Sequence, residues 1–196
     1  MPEVLSDGGA TVLVTGGAGY VGAHTCKALR RSGYTPVVFD NLSTGHRSFV
    51  RWGPLVCGDI RDHSAILDAI SRYQPKAVLH FAASTSVGES VSDPRNYYDN
   101  NVVGSLSLLK AMLAGGCRKL VFSSSCAVYG KPKELPISEA SSLAPVNPYG
   151  ATKLMVERIL ADYGQAYRLG SIALRYFNAS GADPEGDLGE LRDPET

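Results

Sequence analysis

The stretch TVLVTGGAGYVGAHTCKALRRSG, from Thr11 to Gly33, constrains the fold more than any other part of the chain. It reads as an apolar strand, a glycine turn and a helix. Gly16, Gly19 and Gly22 follow a G-x-x-G-x-x-G spacing, and Gly17, Gly19 and Gly22 also read G-x-G-x-x-G. Glycines at these places allow a tight turn and let backbone approach a pyrophosphate, which the free N–H groups and positive end of the following helix then hold. A glycine pattern alone is weak evidence. Here an apolar run precedes it, a helix follows it, and Asp40 closes the next apolar run. An acid at that place accepts hydrogen bonds from the adenosine ribose hydroxyls and repels a 2′-phosphate. The nearest arginine beyond it is Arg47. The residues therefore point to NAD rather than NADP as cofactor.

Continuous apolar runs recur along the chain at Thr11–Thr15, Pro36–Asp40, Pro54–Cys57, Ala77–Phe81, Lys119–Ser125 and Ser171–Phe177. Because they do not alternate with polar residues, they read as six strands buried on both faces, as in a parallel sheet. Helical stretches separate most of them, at about Gly22–Ser32, Ser64–Tyr73, Tyr97–Ala114 and Pro148–Tyr167. The last carries Val156, Leu160 and Tyr163 on one stripe. This rhythm predicts an α/β fold: a doubly wound, Rossmann-like parallel sheet with right-handed crossovers. At 196 residues, 44% of them apolar, the chain can bury the core of one domain. The formal net charge is zero, which argues against nucleic acid or anionic membrane as partner. No apolar stretch approaches a membrane span, and MPEVLSDGGA lacks the features of a signal peptide. The expected location is the cytoplasm. Four cysteines without metal spacing (Cys26, Cys57, Cys117 and Cys126) read as reduced, buried thiols. No metal site is expected. His80, inside an apolar run, reads as a core histidine, while His24, His46 and His63 have no partner at metal-ligand spacing.

Tyr149 and Lys153, in VNPYGATKLM, stand four residues apart and share a helix face, and Pro148 suits a first helical turn. A neighbouring ammonium and a positive nicotinamide ring both favour the phenolate, which would make Tyr149 a base near neutral pH. The Ser123–Ser125 run ends a strand on the edge where ligands bind in this architecture, so a hydroxyl there can share a substrate proton with Tyr149. Asp59, in GDIRD, can accept from an adenine amino group while Ile60 covers the ring. Asp62 is the better helix N-cap. The small residues of FAAS let backbone pass a flat cofactor.

These segments resemble the extended short-chain dehydrogenase/reductase family, and within it the enzymes that epimerise UDP-sugars. The likeness runs from Thr11 to Thr196 and rests on VTGGAGYVGAHT, DNLSTG, GDIRD, YYDNNVVGSLSLL, FSSSCAVYG, NPYGATKLMVE and LRYFNASGADPEGDLGE. It implies Tyr149 as base, Lys153 as its modulator and nicotinamide-ribose ligand, and Ser125 as hydroxyl partner. Tyr149 and Ser125 would also touch substrate, as would Asn178. NAD contacts are implied at Gly16, Gly19, Tyr20, Val21 and Gly22; at Asp40, Asn41, Leu42, Ser43, Thr44 and Gly45; and at Asp59, Ile60 and Asn100. They are also implied at Phe81, Ala82, Ala83, Ser84 and Thr85, and at Ser123, Tyr149, Lys153 and Phe177. Thr85 stands where some members carry a lysine. The implied reaction oxidises the sugar at C4 transiently and returns hydride to its other face, interconverting UDP-glucose and UDP-galactose in galactose metabolism. Helices Tyr97–Ala114 and Pro148–Tyr167 would pair in a homodimer.

The resemblance divides the chain into a flexible lead (1–10), an NAD-binding domain with the catalytic residues (11–177) and the start of a substrate-binding region (178–196). Most of that last region would be missing, and its acids read as solvated. Two other readings stay open: an epimerase of another UDP-sugar, and an NAD-binding module without catalysis. A dehydratase would need an acid pair where this chain has Cys126 and Ala127.

Overall fold

The computed structural model describes residues 9–132 and 134–191; the rest, including most of the expected lead, lies outside the described residues. Six parallel strands form one sheet: β1 (Thr11–Thr15), β2 (Thr35–Asp40), β3 (Leu55–Cys57), β4 (Ala77–His80), β5 (Lys119–Ser123) and β6 (Gly170–Leu174). Their order is β3-β2-β1-β4-β5-β6, so the winding reverses between β1 and β4. In open α/β sheets the crevice outside such a reversal takes the ligand. The helices are α1 (Tyr20–Arg31), α2 (His63–Tyr73), α3 (Val87–Ser92), α4 (Pro94–Tyr97), α5 (Gly104–Ala114) and α6 (Pro148–Tyr167).

Local chemistry sets the element ends. Asp62 accepts from the backbone N–H groups of Ser64 and Ala65 and starts α2. Asn147 accepts from Gly150 N and Pro148 fills the first turn of α6. The long expected helix at Tyr97–Ala114 begins earlier, at Pro94, and contains a π-helical turn over Tyr98–Val103. α3 carries no apolar periodicity and escaped the sequence reading. β5 ends at Ser123, before the expected Ser125, because Ser125 leaves the ladder to cap the 3₁₀ turn Cys126–Tyr129 through Ala127 N.

The main core joins Leu13, Val37, Phe39 and Val78 of the sheet to Ile66 and Ile70 of α2, Leu108 and Met112 of α5, and Val156 and Leu160 of α6. Tyr163 packs half-buried against it, completing the expected stripe. Truncating one such Leu or Ile to Ala costs about 2–5 kcal/mol. A smaller cluster of Val12, Val14, Ala18, Cys26 and Val38 fills the side beneath α1.

Two expectations about burial fail. Every residue of β6 is exposed, with Ile172 at 61% and Leu174 at 45%: it ends the sheet beside β5, and the described residues leave its side chains uncovered. Cys57 is exposed where β3 ends and Cys126 is half-buried, so only Cys26 and Cys117 are buried thiols. Burial, with Asp40 adding to it, pushes the Cys26 thiol up to about 12. His80 behaves as a satisfied core residue: Thr15 Oγ1 lies 2.7 Å from Nδ1 and Ser105 Oγ 2.9 Å from Nε2. Burial, then Lys153, pushes it down to about 3.

Candidate active site

All six strands are parallel, so the glycine turn, Asp40, Asp59, the FAAS segment and the serines, each at or just after a strand end, emerge on the same edge of the sheet. The glycine turn follows β1. Gly16 takes φ +73°, and a Cβ there would lie 2.5 Å from Ala82 N; one at Gly22 would lie 2.2 Å from Gly16 O. These two glycines are required by the polypeptide itself. At Gly19 a Cβ would meet only Gly16 O at 3.4 Å, so backbone packing leaves room there for an outside group. Gly19 is the N-cap of α1, makes no side-chain cap bond, and the first turn holds no acid. A helix end of this kind suits a pyrophosphate.

Asp40 is buried at the end of β2. Its two carboxylate oxygens accept from Ala18 N at 3.0 Å and Leu42 N at 2.8 Å. That orients the carboxylate beside the glycine turn and leaves lone pairs for two further donors. Asn41, Ser43 and Thr44 are exposed, while Leu42 and Gly45 are half-buried. His46 N donates to Ala18 O and folds this loop back on the turn. Leu42 holds φ +59°, an uncommon state for a branched side chain. After β3, Ile60 is buried, but the Asp59 carboxylate is engaged: Arg61 Nε and a terminal guanidinium nitrogen reach it at 2.9 and 2.7 Å, and Asn41 at 3.3 Å. The Arg61 guanidinium holds it well below the usual carboxylate range.

After β4, Phe81 N and Ala82 N both donate to Thr15 O. Phe81, Ala82, Ala83 and Ser84 are half-buried and Thr85 is exposed. Asn101, a buried residue absent from the sequence reading, ties this loop to α6. It accepts from Ser84 N (2.8 Å) and donates to Ser84 O (3.0 Å) and Thr152 Oγ1 (3.2 Å). Its neighbour Asn100 donates to it in turn. A single Asn in a helical stretch gives no sequence signal of such a role.

The three serines after β5 separate by contact. The Ser125 hydroxyl accepts from Ala127 N at 3.1 Å and lies beside the Tyr149 phenol. The Ser124 hydroxyl donates to Glu157, which Arg175 also grips through Nε and a terminal nitrogen. Ser123 shares a hydrogen bond with the Tyr176 hydroxyl, and its carbonyl accepts from Lys153 Nζ at 2.8 Å. Lys153 Nζ lies 5.7 Å from the centre of the Tyr149 ring. Tyr97 packs edge-on against the same ring, with centroids 6.5 Å apart. Lys153 is buried, which pushes its ammonium down to about 7. The Tyr149 phenol is not lowered as expected. Burial raises it, Ser125 opposes this through its hydrogen bond, and Tyr176 and Cys126 add to the rise. Lys153 is aimed at a carbonyl and is itself destabilised as a cation, so the protein alone does not supply the stabilising charge.

Phe177 is 61% exposed and Asn178 is exposed, outside this hydrogen-bonded group. The tail acids are not all solvated. Asp183 is buried, and Lys27 Nζ on α1 sits 2.6 Å from it, 2.8 Å from Glu185 and 2.9 Å from Asp187. These three carboxylates are close enough together to hold a cation; the ammonium of Lys27 lies against all of them. Reading the chain by local segments could not pair residues so far apart.

Residues 12–191 match the NAD dependent epimerase/dehydratase family. The chain is 56% identical over 188 residues to a UDP-glucose 4-epimerase of Rhizobium leguminosarum bv. trifolii, covering 96% of this chain and 58% of the relative. Among solved structures, it superposes with a TM-score of 0.94 on the UDP-glucose 4-epimerase of Brucella ovis in complex with NAD, at 58% identity over 95% of this chain and 57% of that one. A UDP-glucose 4-epimerase from Bifidobacterium longum, in complex with NAD+ and UDP, gives 0.89 at 40% identity over 92% of this chain and 57% of that one. The chain thus spans a little over half the length of the curated relatives it matches. With the family matched over nearly all of its length, the chain belongs to the NAD dependent epimerase/dehydratase family.

Proposed function

We propose that the chain is the NAD-binding and catalytic part of an epimerase that interconverts UDP-glucose and UDP-galactose, working in the cytoplasm as a homodimer. One observation carries this reading: Tyr149, Ser125 and Lys153 meet on the edge where Asp40 and the uncapped end of α1 also converge. Bound NAD would supply the acceptor for the hydride from sugar C4. Gly19 and the first amides of α1 would hold its pyrophosphate, and Asp40 its adenosine ribose. Ser125 would bond the sugar hydroxyl and pass its proton toward the Tyr149 oxygen. Lys153, on the Ser123 carbonyl, would anchor the far ribose, and a positive ring beside Tyr149 would oppose the rise that burial imposes on the phenol. Asn178 would meet the substrate from the loop after β6.

Calorimetry on the purified chain tests the cofactor. NAD should bind more tightly than NADP by at least about tenfold, or ~1.4 kcal/mol. Equal affinities would remove Asp40 from the ribose. Assay with UDP-galactose tests the reaction. The 196-residue chain is expected to turn over slowly, because remote contacts to the nucleotide normally position the sugar. A complete relative-length protein carrying the same residues should turn over readily. Its inactivity toward UDP-galactose, with NAD bound, would leave another UDP-sugar or a non-catalytic module.

A further inference from the structure

The chain leaves β6 at one edge of the sheet and reaches α1, which follows β1, three strands away. Three strand spacings are about 14 Å. Leu174 and Gly181 are only seven residues apart, and seven residues reach about 24 Å fully stretched. The segment therefore bridges the carboxyl edge from the β6 side to α1, past the reversal between β4 and β1 where the ligand crevice lies.

Both of its ends are fastened. At one end the Tyr176 carbonyl accepts from Cys126 N at 3.0 Å and the Tyr176 hydroxyl bonds Ser123. At the other end the loop lies along one face of α1. The Tyr20 hydroxyl donates to Gly181 O, Lys27 is enclosed by Asp183, Glu185 and Asp187, and Arg31 pairs with Glu185. These α1 residues stand at i, i+7 and i+11, one stripe of a helix. Leu188 is buried with Ala23 and Phe49 beside them, and Lys27 also lies over the Trp52 ring at 5.6 Å. Between the fastenings, residues 177–180 are all exposed.

We infer that residues 177–188 form a strap across the cofactor crevice, with Lys27 as the positioning residue that latches it, so that cofactor release requires the latch to open. This rests on the NAD reading above. Tyr20 stands at the N-terminal end of α1, where the pyrophosphate would sit, and contacts the strap directly. The latch holds a cation 6% exposed against a carboxylate 5% exposed, and losing one partner of such a buried pair acts mainly on dissociation.

The test loads the purified 196-residue chain with NAD and follows its release into excess NADH by fluorescence. Lys27→Met and Asp183→Asn should each speed release at least about tenfold, with NAD association little changed. The double variant should be no faster than Lys27→Met, since both remove one latch. Hydrogen exchange at amides 177–182 should rise in parallel. Wild-type release rates in both variants, with exchange raised, would overturn the strap: it opens without consequence. If Lys27→Met loses the wild-type circular dichroism spectrum, Asp183→Asn, which keeps the lysine and removes only the buried charge, decides alone, and an unchanged rate in that variant overturns the strap. A wild-type chain that holds no NAD would defeat the cofactor reading and the strap together, whereas tight binding with unaltered variants defeats the strap alone.

Discussion

At Tyr149 a single oxygen separates an acid–base group from an inert ring. Tyr149→Phe should fold normally, because the ring keeps its edge contact with Tyr97, and should still bind NAD, since the glycine turn is untouched. In a complete epimerase carrying these residues its kcat should fall by about 10²–10⁴; wild-type turnover would remove Tyr149 from the mechanism. Lys153 allows a prediction about stability. Burial holds its folded value at about 7, below the 10.5 of a free lysine side chain. Between those two values the unfolded chain binds more protons, so this group makes stability rise with pH and costs most below about 7. Lys153→Met removes the cost. In cofactor-free melts its Tm, measured against wild type, should gain more at pH 6 than at pH 9. An equal gain at both would show that the ammonium is not desolvated. His80 acts in the same direction, being lowered to about 3 by burial.

Among elements, the junction of the π-helical turn with α5 leaves little room for added bulk. A Cβ at Gly104 would lie 2.6 Å from the Ile60 side chain. Gly104→Ala must move Ile60, at a cost of about 1–3 kcal/mol. For a chain of this size each kcal/mol lowers Tm by about 2–4 °C. Ile60 is the residue proposed to cover the adenine ring, so NAD affinity should fall with Tm. A variant with unchanged Tm and unchanged affinity would show that the helix shifts freely at this point. The π turn itself places Asn101 between Ser84 and Thr152, which fixes the loop after β4 to the helix carrying Tyr149 and Lys153.

For the whole molecule, no helix among the described residues is long and apolar enough to cross a membrane. Val103 and Met155 remain 49% and 44% exposed on the two helices proposed to pair between subunits. Light scattering of the purified chain at micromolar concentration should give the mass of a dimer, and a monomer mass would overturn the pairing. Substituting Met155 by Glu should weaken the dimer while leaving NAD affinity unaltered, because Met155 points away from Tyr149 and Lys153 on α6.

Much of this was legible in linear order. A parallel sheet with right-handed crossovers brings every strand's following loop to one edge, so the apolar runs put the glycine turn, Asp40 and the serines on the same edge. Helix periodicity put Tyr149 and Lys153 on one face, and the apolar context of His80 marked it as core. Tertiary structure decided what depends on pairs distant in sequence. Burial raised the phenol that Lys153 was expected to lower, and the Asp59 carboxylate was engaged by Arg61. Which serine bonds what was settled by contacts with Tyr149, Glu157 and Tyr176. The exposure of β6 and the closure of three tail acids on Lys27 had no local signal either. Periodicity and turn chemistry act between neighbours in sequence, whereas desolvation and ion pairing depend on what the fold brings together from far apart.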